Sequence, residues 1–227
     1  MSDELLLRPA ASAAVESVGW RLLLRAYAAS VPVAGLEQGL QVAAAAAAAC
    51  GGDSDDHLRI DVRADRVELV LQTRAANGVT ALDAELAAAV TAAVHGAGLA
   101  IAPATGRDRP AQMLELAIDA MDIGAIRPFW KAVLNYVDEP GAGPDGAIAD
   151  PAGQLPAIWF QQMDEPRPQR NRIHFDLDVG HDEAHSRIQD ALAAGGVLVS
   201  DAAARAFWVL ADAEGNEVCV CTWQDRD

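Results

Sequence analysis

Two stretches of this 227-residue chain decide how it folds: Glu115-Leu-Ala-Ile-Asp-Ala-Met-Asp122 and His174-Phe-Asp-Leu-Asp-Val-Gly-His181. Each alternates apolar and polar residues, as a strand with one buried face does, and each leads into sequence with helical spacing. The first helix contains Ile126-Arg-Pro-Phe-Trp-Lys-Ala-Val-Leu134, and the second covers about Glu183 to Ala194. Further strand-like sequence follows a loop in both cases. The units close with Ala157-Ile-Trp-Phe-Gln-Gln-Met163 and Glu217-Val-Cys-Val-Cys-Thr-Trp223. A repeat of this size marks a supersecondary unit too small to bury its own apolar face. Two βαβββ-like units are therefore expected to pair their sheets around a shared cleft.

Alternation also sorts the faces. In Arg172 to Val179, the residues Ile173, Phe175, Leu177 and Val179 suit packing under a helix, while Arg172, His174, Asp176 and Asp178 face the cleft. In Met113 to Asp119, Leu114, Leu116 and Ile118 form the helix side and Glu115, Ala117 and Asp119 the other. The repeat makes Glu115 and His174 equivalent. Trp159 shares a face with Gln161, and Trp208 and Trp223 lie on or beside the closing strands. Several aromatics with few polar groups suit a small aromatic or hydrophobic ligand. Arg172 and Arg205 could steer any anionic part of it, although Arg205 reads better as a surface residue. His181 and His185, four apart, are expected in solvent.

Upstream, the sequence predicts a helix from about Ala10 to Ser17 and strand from Trp20 to Val33. A helix from Leu36 to Cys50 follows, stopped by Gly51-Gly52. A hairpin joins Leu58–Arg63 to Arg66–Arg74 through Ala64-Asp65, with Val67, Leu69 and Leu71 on its apolar face. Thr80 is the expected N-cap of a helix from Ala81 to His95, with dipole support from Glu85. Ile101 to Pro110 has two prolines, a glycine and no apolar periodicity, and reads as a linker. The expected domains are 1–104 and 111–227. The expected fold class is α+β: an N-terminal α/β sandwich, then paired βαβββ modules forming a cupped mixed sheet.

A formal net charge of −16 argues against nucleic acid or an anionic membrane as partner, because phosphate binding needs clustered Lys and Arg. The longest apolar run, Val42 to Cys50, is far short of a membrane span. Cys50, Cys219 and Cys221 make no disulfide framework, and the start Met-Ser-Asp-Glu lacks the basic region of a signal peptide. A cytoplasmic location is expected. No Gly-rich phosphate loop or Gly-x-Ser-x-Gly elbow is present.

Three quoted stretches carry a family resemblance: Ile118-Asp-Ala-Met-Asp122 before Pro128-Phe-Trp130, Asn171-Arg-Ile-His-Phe-Asp-Leu-Asp178, and Val209-Leu-Ala-Asp-Ala-Glu-Gly-Asn-Glu-Val-Cys-Val220. Through them residues 112 to 225 resemble glyoxalase-like domains of the vicinal oxygen chelate (glyoxalase, bleomycin resistance, dioxygenase) superfamily. That resemblance implies a cupped sheet that often holds a divalent metal, in lyases, isomerases, dioxygenases, thiol transferases or metal-free drug binders. The ligand positions it implies are Glu115, Gln161 (Gln162 with a one-residue slip), His174 and Cys219. Cys219 replaces the usual carboxylate, and Glu217 is on the same face. Hard oxygen donors suit Mn, while His and Cys suit Zn, Fe or Ni. The ligand pocket expected from these readings comprises Glu115, Trp159, Gln161, His174, Asp176 and Cys219.

Residues 5 to 98 resemble pterin-4a-carbinolamine dehydratase, through Gly19-Trp20, Leu58-Arg-Ile60 with Arg66-Val67, and Gly78-Val-Thr-Ala-Leu-Asp83 before Glu85-Leu86-Ala87. The resemblance implies a dehydratase-like sandwich whose chemistry uses a His-His-Pro run before the hairpin and another His after it. Ser54-Asp55-Asp56 and Arg74 hold those places, with His57 one or two positions away. Loss of imidazoles that exchange protons near neutral pH predicts a degenerate domain. Such a domain is expected to serve assembly, which leaves a homodimer open. The chain therefore reads as a small-molecule binding protein or enzyme of unknown substrate, its ligand held in the cup, with two alternatives: a metal-dependent lyase, isomerase or dioxygenase, or a 4a-hydroxytetrahydrobiopterin dehydratase.

Overall fold

The structure is a computed structural model, and it describes residues 4–102, 112–166 and 173–225. The chain divides into two compact units, Met1–Met113 and Leu114–Asp227. No helix among the described residues is long and apolar enough to cross a membrane.

The first unit runs α1 (Arg8–Glu16), β1 (Arg21–Leu23), β2 (Ala26–Pro32), α2 (Leu36–Cys50), α3 (Ser54–His57), β3 (Leu58–Val62), β4 (Arg66–Leu71) and α4 (Ala81–Gly96). Its antiparallel sheet has the order β1-β2-β4-β3. Strand β4 alternates as expected, with Val67, Leu69 and Leu71 fully buried. Helices α2 and α4 pack against one another and the sheet. Gly39 in α2 is needed for that approach, since a Cβ there would sit 2.8 Å from Val62 Cγ1. Trp20 is buried and its Nε1–H donates to Thr91 Oγ1 at 2.9 Å, tying β1 to α4.

Helix α4 begins with a capping box, in which the Thr80 backbone N–H donates to Asp83 Oδ2 at 2.7 Å. Asp83 thus does the work at this helix start that the sequence suggested for Glu85. The expected linker also begins later than composition indicated. Ile101 is buried in this unit's core, and Ala102 forms a bridge with Ser30. Composition registers prolines but not a single apolar side chain finding a core. The rest of the linker, 103–111, lies outside the described residues.

The second unit contains β5 (Glu115–Ala120), α5 (Ile123–Leu134), β6 (Val137–Asp138), β7 (Ile148–Ala149) and β8 (Ala157–Gln162). It continues with β9 (Phe175–Asp178), α6 (Ala184–Ala193), β10 (Val197–Ser200), β11 (Phe207–Ala211) and β12 (Glu217–Cys221). Two four-stranded sheets form, β5-β8-β7-β6 and β9-β12-β11-β10. In each, the first strand of the module pairs parallel with the last, and the remaining pairs are antiparallel. The repeat legible in sequence is thus a repeat of topology: two βαβββ modules.

One core serves both modules. It includes Ile126, Phe129, Trp130 and Val133 of α5, Ile158 and Phe160 of β8, Ile188 and Ala191 of α6, and Val218 and Val220 of β12. Trp130 is its anchor. It lies edge-on to Phe129 and Phe175, with ring centroids 5.4 and 5.8 Å away, and its Nε1–H donates to Asp212 Oδ2 at 2.9 Å. Glu214 in the same turn accepts from the backbone N–H groups of Met121 and Asp122, so a module-two loop seats the start of α5.

One face assignment needs correction. Ile173, expected under a helix, is 75% exposed just ahead of the β9 ladder, which begins at Phe175. Trp208, on a closing strand as expected, is half-buried against the common core. Arg172 lies outside the described residues.

Candidate functional site

Strands β9 and β12 run side by side and in parallel, with Asp176 opposite Cys219 and Asp178 opposite Cys221. His174 stands two residues before Asp176, just beyond the paired part of β9, so it shares the Asp176 face. The ladder therefore brings three different donors together: an imidazole, a carboxylate and a thiol. One ligand atom from each of His174, Asp176 and Cys219 lies within 4.8 Å of the others. His174 Nε2 is 3.5 Å from Asp176 Oδ1, and both side chains are more than half exposed, at 57% and 59%.

These groups line a cavity of about 750 Å³ with Ala203, Ala204, Ala206, Phe207, Cys221 and Asp225. Its walls are mostly small and apolar, and among the described residues its lining holds the carboxylates of Asp176 and Asp225 and no Lys or Arg. Arg205 beside it is committed to a two-point pair with Asp225, at 2.9 and 2.7 Å. Cys219 is buried, and burial first, then its hydrogen bond to Asp176, pushes its thiol up to about 12. At neutral pH that thiol is protonated, and it is not a nucleophile unless a cation or base removes the proton.

The residues expected from sequence divide between the two sheets. His174, Asp176 and Cys219 meet in the module-two cavity. Glu115, Trp159 and Gln161 lie on the module-one sheet and are not among the described residues lining that cavity. Glu115 is half-buried at the start of β5, opposite Ala157, and Trp159 is 39% exposed on β8. Gln161 is exposed and donates to the Gln162 carbonyl. Register also alters the equivalences between modules. Ala117 pairs with Trp159 and Asp119 with Gln161, as Asp176 pairs with Cys219 and Asp178 with Cys221. With Glu115 matched to His174, Trp159 is the counterpart of Cys219, and Gln161 that of Cys221. The resemblance implies Gln161 as the module-one counterpart of the Cys219 place, but ladder pairing gives that place to Trp159.

Sequence reasoning did not place Phe207, Asp225 or the three alanines in the pocket, since they come from β11 and the segments flanking it and β12. Cys221 carried a signal, as it lies two residues from Cys219 on one strand. Trp223, expected on or beside a closing strand, is exposed beyond β12 and edge-on to His181, with ring centroids 5.5 Å apart. The donor set suits a divalent metal of the borderline class, since imidazole and thiol accompany one carboxylate.

The first unit has a second cluster. Short helix α3 delivers His57 to the end of β3, where its Nδ1 lies 2.8 Å from Asp83 Oδ1. Asp83 is completely buried while His57 retains 11% exposure. The other Asp83 oxygen accepts from the Thr73 hydroxyl at 2.7 Å as well as from the Thr80 cap. Tyr27 is buried nearby, and burial, then the Asp83 charge, raises its hydroxyl to about 12. Arg74, at the place where the dehydratase family has a histidine, donates to the carbonyls of Asp55 and Leu58 at 2.8 and 2.7 Å. Its role here is to tie α3 to β3.

Residues 115–221 match the family model described as a glyoxalase-like domain. The match supports a small-molecule binding or enzymatic role for this half of the chain. No curated protein matches the chain. Among solved structures, one similar protein is a glyoxalase/bleomycin resistance protein/dioxygenase family enzyme from Burkholderia phytofirmans. It is 18% identical, with a TM-score of 0.40, over 48% of this chain and 95% of that one. A glyoxalase-related enzyme from Fulvimarina pelagi is 17% identical, with a TM-score of 0.38, over 49% and 88%. The N-terminal part is similar to a transcriptional coactivator/pterin dehydratase from Brucella melitensis, 26% identical with a TM-score of 0.35, over 40% of this chain and 98% of that one.

Proposed function

We propose that the second unit binds a small aromatic or hydrophobic molecule, neutral or cationic, in the module-two cavity. The observation that carries this reading is the lining itself: apolar walls of Ala203, Ala204, Ala206 and Phe207 converge on one polar cluster, His174, Asp176 and Cys219. Binding sites are commonly built this way, with apolar surface supplying affinity and a few polar groups fixing orientation. Phe207 offers a ring for stacking, and the Asp176 carboxylate disfavours anions.

A screen of small neutral, cationic and anionic aromatic compounds, read by ligand-detected NMR, tests this. Neutral or cationic compounds should bind, compete with one another and lose at least tenfold in affinity in Phe207→Ala. Binders that are all anionic, or that ignore Phe207→Ala, would refute the reading.

Chemically, His174 beside Asp176 is equipped for proton transfer, and a protonated Cys219 is equipped to donate a hydrogen bond. A metal-assisted lyase, isomerase or dioxygenase would instead need donors gathered around one ion. Of Glu115, Gln161, His174 and Cys219, only the last two belong to the observed cluster.

The His57–Asp83 contact favours a second reading, dehydration of a pterin carbinolamine in the first unit. A carboxylate accepting from Nδ1 makes Nε2 the proton-exchanging atom, and Thr73 and Thr80 hold that carboxylate still. One imidazole would then do the proton transfers that the family shares among several. Turnover of a 4a-hydroxytetrahydropterin, lost in His57→Ala and kept in His174→Ala, is the expected result. Wild-type protein without turnover would refute it.

A further inference from the structure

The divalent metal implied by the glyoxalase-like resemblance is usually placed between two modules. The donors in this chain are grouped differently. Three donors of three kinds meet on one strand pair of module two, His174 and Asp176 from β9 and Cys219 from β12. In module one, the place equivalent to Asp176 is Ala117 and the place equivalent to Cys219 is Trp159, and neither offers a ligand atom. Of module one's counterparts only Glu115 offers a carboxylate, and it is outside the cluster.

We propose that this chain holds a single borderline divalent cation of the Zn²⁺ and Co²⁺ class on module two alone, through His174, Asp176 and Cys219. This goes beyond the small-molecule reading and does not depend on it. Three observations point the same way. The ligand atoms already lie within 4.8 Å of one another, a spacing that small side-chain rotations close around one ion. The described lining carries the Asp176 carboxylate, whose charge attracts a cation, while Asp225 is already paired with Arg205. The donor chemistry is selective: one nitrogen, one sulfur and one carboxylate oxygen suit Zn²⁺ or Co²⁺, whereas Mg²⁺ and Ca²⁺ need oxygen cages.

His174 and Asp176 are exposed and can turn toward an ion without disturbing the core. Cys219 is fixed in the ladder and would surrender its thiol proton to solvent on coordination. Three protein ligands on the wall of an open cavity leave a fourth position facing the space lined by Phe207. Asp176, which matches no family ligand position, becomes the carboxylate ligand in place of the acid that Cys219 has replaced.

The test is titration of metal-free full-length protein with Co²⁺, followed by absorption spectroscopy and by elemental analysis after gel filtration. One equivalent is expected to bind with a sulfur-to-cobalt charge-transfer band that excess Mg²⁺ does not remove. Cys219→Ser should abolish the band. His174→Ala and Asp176→Asn should each weaken binding by about tenfold or more, and because both side chains are exposed these two variants carry the test even if Cys219→Ser fails to fold. Glu115→Gln and Gln161→Ala should bind within twofold of wild type. No stoichiometric binding, binding without the band, or tenfold weakening by Glu115→Gln or Gln161→Ala would overturn the one-module site. Aromatic ligands that bind the metal-free wild-type protein and lose affinity in Phe207→Ala would leave the small-molecule reading standing when this one fails.

Discussion

Replacing Asp83 with alanine should loosen α4 more than any other single change at a charged residue of the first unit. The carboxylate is completely buried and receives four donors, from the Thr80 N–H, Thr80 Oγ1, Thr73 Oγ1 and His57 Nδ1. Not all are stranded by its loss. The Thr73 hydroxyl can turn to Thr80 Oγ1, already 3.1 Å away, and His57 keeps some access to water. The Thr80 amide cannot recover, because Thr80 is itself buried. A buried unsatisfied donor costs about 1–3 kcal/mol, while the Thr80 side chain still caps the N3 backbone N–H. Expressed as exchange, that is roughly a 5- to 150-fold acceleration of the α4 amides. Hydrogen exchange read by mass spectrometry of peptides from Ala81 to Gly96 measures it locally, without requiring the two units to unfold together. Amides of α5 should be unaffected, and Glu85→Ala should change α4 by less than about 0.5 kcal/mol. Acceleration below about fivefold in Asp83→Ala would refute the account of this helix start.

Other consequences can be checked on the second unit. With its thiol pushed up to about 12, Cys219 should alkylate at pH 8 about a thousandfold more slowly than a free cysteine. Asp176→Asn removes the second cause of that shift and should speed the reaction, as peptide mass spectrometry will show. The same shift makes stability fall in alkali. Above about pH 8.5 the unfolded thiol loses its proton while the folded one keeps it, so Cys219 takes about 1.4 kcal/mol of stability per pH unit. Tyr136, raised to about 12 chiefly by burial, adds its own loss from about pH 10. A flat urea midpoint between pH 8.5 and 10.5 would contradict the burial of both groups. Finally, Trp130→Phe keeps the ring stack but removes the donor to Asp212, and should cost about 1–3 kcal/mol, measured as a shift in the urea midpoint read by near-UV circular dichroism.

Much of the local structure was legible from residues alone. The helix from Leu36 to Cys50 was readable from alanine content and the glycine pair after it, and the apolar face of β4 from strict alternation. The doubling of the second half was readable because each module begins with the same pattern and ends in a strand of similar composition. These features have periods of two or 3.6 residues, and such periods are set by backbone geometry within a few neighbours. Of the expected pocket, His174, Asp176 and Cys219 were visible as polar or sulfur-bearing residues on cleft-facing positions.

What the sequence could not decide was which positions face one another across a ladder. The parallel register of β9 and β12 puts Asp176 against Cys219, and that of β5 and β8 makes Trp159 the counterpart of Cys219. A slip of one residue would reverse every face, and no local pattern forbids it; hydrogen bonding along the ladder and the shared core around Trp130 do. The same holds in the first unit, where His57 and Asp83 are 26 residues apart and meet only because α3 and α4 converge at the end of the sheet. Sequence by itself determined the elements, their faces and the repeat. Tertiary structure alone determined the two donor clusters, because a site is a set of distances between residues that the chain separates.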